Sequence, residues 1–227
     1  MHRHWTNGTG TGRMAPNTYI PAGMECSDLN TKTKGRPREF DPDVALAAAL
    51  RVFWQQGYEG ASLAMLTDAM GIAKPSLYSC FGNKEALFKQ ALDLYEREKL
   101  AYIGAAIEAP TARGVAERLL RGAVDTHANA QDPQGCMGVM SMIGCKAEDA
   151  SIRDHVIERR KSSETALIER FERAKAEGDL SPSVDPATLA RYIITVIQGM
   201  QVRAQAGAPR EELEGIVDMF LAVWSDR

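Results

Sequence analysis

Residues 62–88, SLAMLTDAMGIAKPSLYSCFGNKEALF, constrain the fold of this chain more than any other stretch. Leu63, Leu66 and Met70 fall at i, i+3 and i+7, one face of a short helix. Gly71 follows where a helix stops and the backbone needs a positive φ. Ala73 to Phe81 reads as a second short helix, with Leu77 and Phe81 spaced i, i+4. Gly82-Asn83-Lys84 breaks it, and Asn83 is a good N-cap for a third, longer helix. Two short helices about a glycine turn form a helix-turn-helix, whose second helix suits a DNA major groove.

That second helix turns Leu77 and Phe81 inward and leaves Lys74, Ser76, Tyr78, Ser79 and Cys80 outward. Small residues at its start (Ala73, Pro75, Ser76) let the backbone approach base edges. Lys74 can reach a phosphate or a guanine, and Tyr78 has the length and hydroxyl for a phosphate. Lys84 begins the next helix, where unbonded backbone N–H groups also favour phosphate. Ser62 and Thr67 on the first helix complete the head's candidate contacts. Residues 31–38, TKTKGRPR, carry four positive charges and no negative one. Lys34, Arg36 and Arg38 in that arm are candidates for phosphate or minor-groove contact. The plainer alternatives are a pair of surface helices in an ordinary helical domain and a solvated tail.

GRPREFD at 35–41, the helix ending FWQQGYEG and the stretch through Phe88 together resemble the DNA-binding domain of the tetracycline-repressor (TetR) family. The resemblance spans 35–90 in the family's order and spacing. Ser79-Cys80 stand where many members carry an aromatic residue or His, so the bases read are this chain's own matter. The resemblance implies an all-α protein. A three-helix head would lead into a larger helical domain that binds a small-molecule effector and pairs with a second copy. About nine helices are expected. The expected domains are a disordered tail over 1–34, the head over 35–82 and the effector and dimerisation domain over 83–227.

Composition agrees with a soluble regulator. A net charge of −3 on 227 residues excludes a non-specific DNA coat, so charge distribution matters more than charge total. Four cysteines without a CxxC pair, and four histidines without ligand spacing, imply a reduced cytoplasmic protein with no metal and no cofactor. No apolar run approaches the ~20 residues of a membrane span. The first thirty residues lack the apolar centre of a signal peptide. Met24, shortly before the basic arm, is the expected natural start.

Asp41-Pro42 opens the first helix, with Leu46, Ala49, Leu50 and Phe53 as its core stripe and Gly57 as its end. The helix begun at Lys84 is expected to run to about Ala106, linking the head to the second domain. Helices are also expected over 111–130 and 149–177, with a sulfur-rich helical segment after the turn Asp132-Pro133-Gln134-Gly135. Two apolar helices close the chain. Tyr192, Val196 and Met200 on one, with Leu213, Ile216, Val217, Phe220 and Trp224 on the other, are the candidate pairing surface. They serve either the chain's own core or a four-helix bundle with a second copy.

The family implies an effector cavity in the second domain. Tyr95, Tyr102, His127, Met137, Met140 and Phe171 are its candidate lining, since methionines and aromatics adapt to irregular cavities. The same residues also suit plain core. Cys136 follows Gly135 at an expected helix start, which raises a second reading as an oxidant or electrophile sensor. A buried cysteine closing a turn is the plainer alternative. An enzyme is not expected, because no GxSxG, HExxH or phosphate loop occurs. The remaining alternative is a constitutive DNA binder whose second domain is only structural.

Overall fold

The computed structural model describes residues 40–128, 132–143 and 149–224, all within one compact unit that begins at Arg38. Ten helices occur among the described residues: α1 (Pro42–Gly60), α2 (Leu63–Met70), α3 (Lys74–Phe81), α4 (Lys84–Lys99), α5 (Tyr102–Ile107), α6 (Ala112–His127), α7 (Met137–Ile143), α8 (Ala150–Ala176), α9 (Pro186–Gln205) and α10 (Arg210–Ala222). The fold is all-α with a three-helix head, as the sequence implies.

Caps set the boundaries of the head. The Asp41 carboxylate accepts from the Asp43 amide at 2.9 Å, and Pro42 takes the first helical position. Gly57 has φ 67° and kinks α1, so the final turn continues past the expected end. The Ser62 hydroxyl accepts from Met65 N at 3.2 Å to start α2. Gly71 ends α2 in the left-handed region at φ 64°, where a Cβ would be strained. The Asn83 side chain accepts from Ala86 N at 2.8 Å and starts α4.

These boundaries aim Phe53, Trp54, Leu66, Leu77 and Phe88 into one core, each fully buried. Burial of such a side chain contributes about 1.5–3 kcal/mol. The Phe53 and Phe88 rings meet edge to face at 5.2 Å, which fixes α4 across α1. The core does not stop at the head. It continues through Tyr95 on α4, Cys136 and Met137 at the start of α7, and Ile152 and Val156 on α8.

The expected single helix from Lys84 to Ala106 is two helices, because Leu100 leaves helical geometry at φ −107°, ψ 7°. The chain turns there and lays the Tyr102 ring against α6. A Cβ at Gly122 would stand 2.2 Å from that ring, so only glycine gives the tyrosine its seat. Arg170 on α8 then holds the end of α5. Its Nε donates to Ile107 O at 3.1 Å and its Nη2 to Ala109 O at 2.8 Å, a cation on helix-terminal carbonyls.

A second core joins α6, the end of α8, α9 and α10. Phe171, Ile193, Met200, Leu213 and Val217 are buried there within the chain itself.

Candidate nucleic-acid interface and effector cavity

The outer face of the head carries Met65, Lys74, Pro75, Tyr78 and Ser79, all exposed. Lys74 and Pro75 open α3, whose N-cap Ala73 has no side-chain cap. Ser76 is half-buried, and its carbonyl accepts from the Ser79 hydroxyl at 3.2 Å. The Thr67 hydroxyl donates back to Leu63 O at 2.9 Å, and Ser62 is engaged as the α2 cap. Lys84 lies half-buried with its Nζ 4.5 Å from the Tyr58 ring centroid, a cation–π contact that the sequence did not reveal. Lys34, Arg36 and Arg38 fall outside the described residues.

A cavity of about 440 Å³ opens beyond the head, between α4, α5, α8, α9 and the start of α7. Tyr95, Tyr102, Cys136 and Met142 line it, together with Leu119 and Gln201. The structure therefore brings three of the singled-out residues together there. Met137 and Phe171 are instead fully buried in the two cores, and Met140 turns its carbonyl toward Gly57. The His127 side chain lies outside the described residues.

Tyr95 is fully buried, with its hydroxyl beside the Cys136 thiol and the Met137 backbone N–H. Burial pushes its phenol well above the usual range, with the neighbouring Cys136 thiol adding to the effect. Burial likewise raises the Tyr102 phenol, again with Cys136 nearby. Both therefore stay protonated donors at physiological pH. Cys136 does directly precede a helix, as the sequence implied, but α7 has only seven residues. The thiol sits against phenols and apolar side chains in the cavity wall.

Charged wall residues are mostly tied to each other. Arg159 on α8 bonds Glu96 on α4, its Nε at 2.8 Å, and pairs with Asp93 at 2.9 Å. Glu164 takes Arg191 at 3.0 Å, and Lys161 pairs with Glu158 at 3.7 Å. Arg160 is the wall cation without a carboxylate partner among the described residues.

Head and cavity touch through residues 132–136. The Trp54 indole N–H on α1 donates to Gly135 O at 2.8 Å, and its ring meets Tyr95 edge to face at 4.8 Å. Asp132, nearly buried, takes Arg51 of α1 at 3.3 Å and Lys99 of α4 at 2.6 Å. The sequence marked Asp132–Gly135 only as a turn and did not single out Trp54. A tryptophan beside the stripe residue Phe53 was the available signal.

At the far end, Tyr192 is 52% exposed and stacks on Phe220 at 5.4 Å. Phe220 in turn packs on Trp224 at 5.9 Å. Met219 and Val223 extend that face at 65% and 67% exposure. Val196 and Ile216 are half-buried. Met200, Leu213 and Val217 face the chain's own core instead.

Comparison with known proteins gives a consistent match. A family model described as bacterial regulatory proteins, tetR family, matches residues 45–91. One described as tetracyclin repressor-like, C-terminal domain, matches 105–220. The HTH-type transcriptional repressor ComR of Escherichia coli K12 is 32% identical over 86% of this chain and 94% of its own length. The repressor BdcR of the same organism is 28% identical over 81% of this chain and 88% of its own. A solved cysteine mutant of the TetR family transcriptional regulator CifR, complexed with 26bp double-strand operator DNA, is 41% identical. It superposes with a TM-score of 0.79 over 84% of this chain and all of that one.

Proposed function

Because this chain belongs to the TetR family of DNA-binding transcriptional regulators, and is not an enzyme, we propose that it acts as a homodimeric repressor released from its operator by a small molecule. The observation that carries this reading is the cavity of about 440 Å³, set one hydrogen bond away from the head. A second domain that served only as architecture would be packed solid.

In this reading α3 of each copy enters a major groove, with Lys74, Pro75, Ser76, Tyr78 and Ser79 toward the DNA. Ser62, Thr67, Lys84 and the arm residues Lys34, Arg36 and Arg38 act on the backbone or the minor groove. The exposed Tyr192, Met219 and Val223, with Val196, Phe220 and Trp224, pair two copies. Met200, Leu213, Ile216 and Val217 support that face from beneath. A twofold pair sets the recognition helices ~34–36 Å apart, as a palindrome requires. An effector can release the operator only by binding the non-matching conformation more tightly than the matching one.

Selection of random duplexes with the protein tests the reading. It predicts enrichment of an inverted repeat. A single unrepeated motif, or no enrichment, contradicts it.

A second reading makes Cys136 the sensing group, supported by its place in the cavity wall beside Tyr95. Operator release by peroxide that survives Cys136→Ser unchanged dismisses this reading.

A further inference from the structure

The inward stripe of α8 carries a charge where its neighbours are apolar. Val156 and Leu167, both buried, lie four residues before Arg160 and seven after it, so all three share one helix face. That face borders the cavity, and all three residues line it. Arg160 is half-buried there and has no carboxylate partner among the described residues. The wall's carboxylates are already held: Glu96 accepts from Arg159 Nε at 2.8 Å, and Glu164 from Arg191 Nε at 3.0 Å. Lys161 stands 3.7 Å from Glu158, and both are exposed, where a pair contributes little. Three wall cations (Arg159, Arg160 and Lys161) against two carboxylates (Glu96 and Glu164) leave one positive charge in excess. Ser163, Gln198 and Gln201 add hydroxyl and amide groups, which donate as well as accept.

From this arrangement we infer that the effector is an apolar carboxylate, a hydrocarbon body with one carboxylate head that Arg160 holds at the cavity wall. This rests on the effector reading above and names its chemical class. A guanidinium on a core-facing stripe gives up part of its hydration and is compensated by an anion or acceptor. A carboxylate meets it with two parallel hydrogen bonds and cancels the excess charge of the wall. An ammonium would have to displace Arg159 or Arg191 from the carboxylates they hold. A phosphate monoester would bring about two negative charges to one uncommitted guanidinium. An alcohol would fill the apolar space among Leu92, Ile103, Leu119 and Leu167 and leave Arg160 as it is. The cavity of about 440 Å³ has room for a body of that kind.

Octanoate, octan-1-ol and octylammonium share one chain and differ in charge. Their dissociation constants would be measured from the shift of the unfolding midpoint, with wild type, Arg160→Gln, Arg160→Lys and Lys161→Gln. Octanoate should bind wild type tightest. Arg160→Gln should weaken octanoate by about 3- to 10-fold, between the worth of an exposed ion pair and that of a buried charge-assisted hydrogen bond, and leave octanol within about twofold. Arg160→Lys keeps the charge and should fall between wild type and Arg160→Gln. Lys161→Gln should bind octanoate within about twofold of wild type. Arg160 closes no ion pair among the described residues, so Arg160→Gln should keep the unliganded midpoint. Equal octanoate affinity in wild type and Arg160→Gln, a loss that falls on Lys161→Gln instead, or tightest binding of octanol or octylammonium overturns the carboxylate assignment and leaves the effector reading standing. Binding of none of the three overturns the assignment as well. Arg160-dependent binding of octanoate that does not loosen a selected operator duplex upholds the carboxylate site but overturns its role as an effector site.

Discussion

Trp54 and Gly135, 81 residues apart, are joined by a 2.8 Å hydrogen bond from the indole N–H to the carbonyl oxygen, in a buried setting. One partner belongs to the first helix of the DNA-binding head. The other immediately precedes Cys136 of the cavity wall. The Trp54 ring also packs on Tyr95, so a single side chain reads two walls of the cavity. Any shift of residues 132–136 must move α1 or break this bond.

Trp54→Phe keeps most of the ring and deletes the donor. It removes the indole's hydrogen bond to the Gly135 carbonyl, which should cost about 0.5–1.5 kcal/mol. Urea unfolding of the two proteins measures it. Operator release by ligand should also weaken, since α1 loses one tie to the loop. An unchanged midpoint together with unchanged release would show that the bond transmits nothing.

Gly122→Ala places a methyl where the Tyr102 ring lies, 2.2 Å from its nearest carbon. The ring must leave its seat, and overpacking of this kind costs about 1–3 kcal/mol. Ligand affinity should fall with it. Should Gly122→Ala match wild type in both midpoint and ligand binding, Tyr102 is not fixed by this contact.

Lys84→Ala should weaken binding to every duplex alike and flatten the plot of log affinity against log salt by about one unit. It also removes the ammonium from the Tyr58 face, at about 0.5–1 kcal/mol of stability. A salt slope equal to that of wild type would confine Lys84 to the aromatic contact.

His155 on α8 has its pKa held below its ordinary value of 6.5, first by burial and then by the nearby Lys89 and Arg159, with Asp93 and Glu96 opposing. A depressed basic group leaves the folded protein binding fewer protons than the unfolded chain. Stability should therefore fall as pH drops through about 6.5 toward the lower folded value. His155→Gln should flatten the midpoint-against-pH curve over that window. An identical slope in both proteins would contradict this origin.

Much of the head was legible because its signals are local. Gly71, Asn83 and Ser62 each act within four residues of themselves, and cap chemistry is written at that range. The break at Leu100 was not legible, and the seat that the following Tyr102 ring takes lies on another helix, at Gly122. The same holds for Trp54, Asp132 and Arg159, whose partners lie 81, 81 or 33, and 63 residues away. Tyr95, Tyr102 and Cys136 were named from residue type and family expectation. Met137 and Phe171 answered to the same pattern, and only packing separates wall from core. The pairing surface divides likewise: period 3.6 marks an apolar stripe on α9 and α10, while the chain's own core takes Met200, Leu213 and Val217 from it.

The account stands on one claim, that filling the cavity loosens paired heads from DNA. Sedimentation velocity of the protein with a duplex chosen by selection, with and without a ligand that raises the unfolding midpoint, tests it most directly. The predicted result is two chains on one duplex in the absence of ligand, and unbound duplex beside a ligand-bound dimer in its presence. One chain per duplex, or a complex that persists at ligand concentrations saturating the cavity, would contradict it.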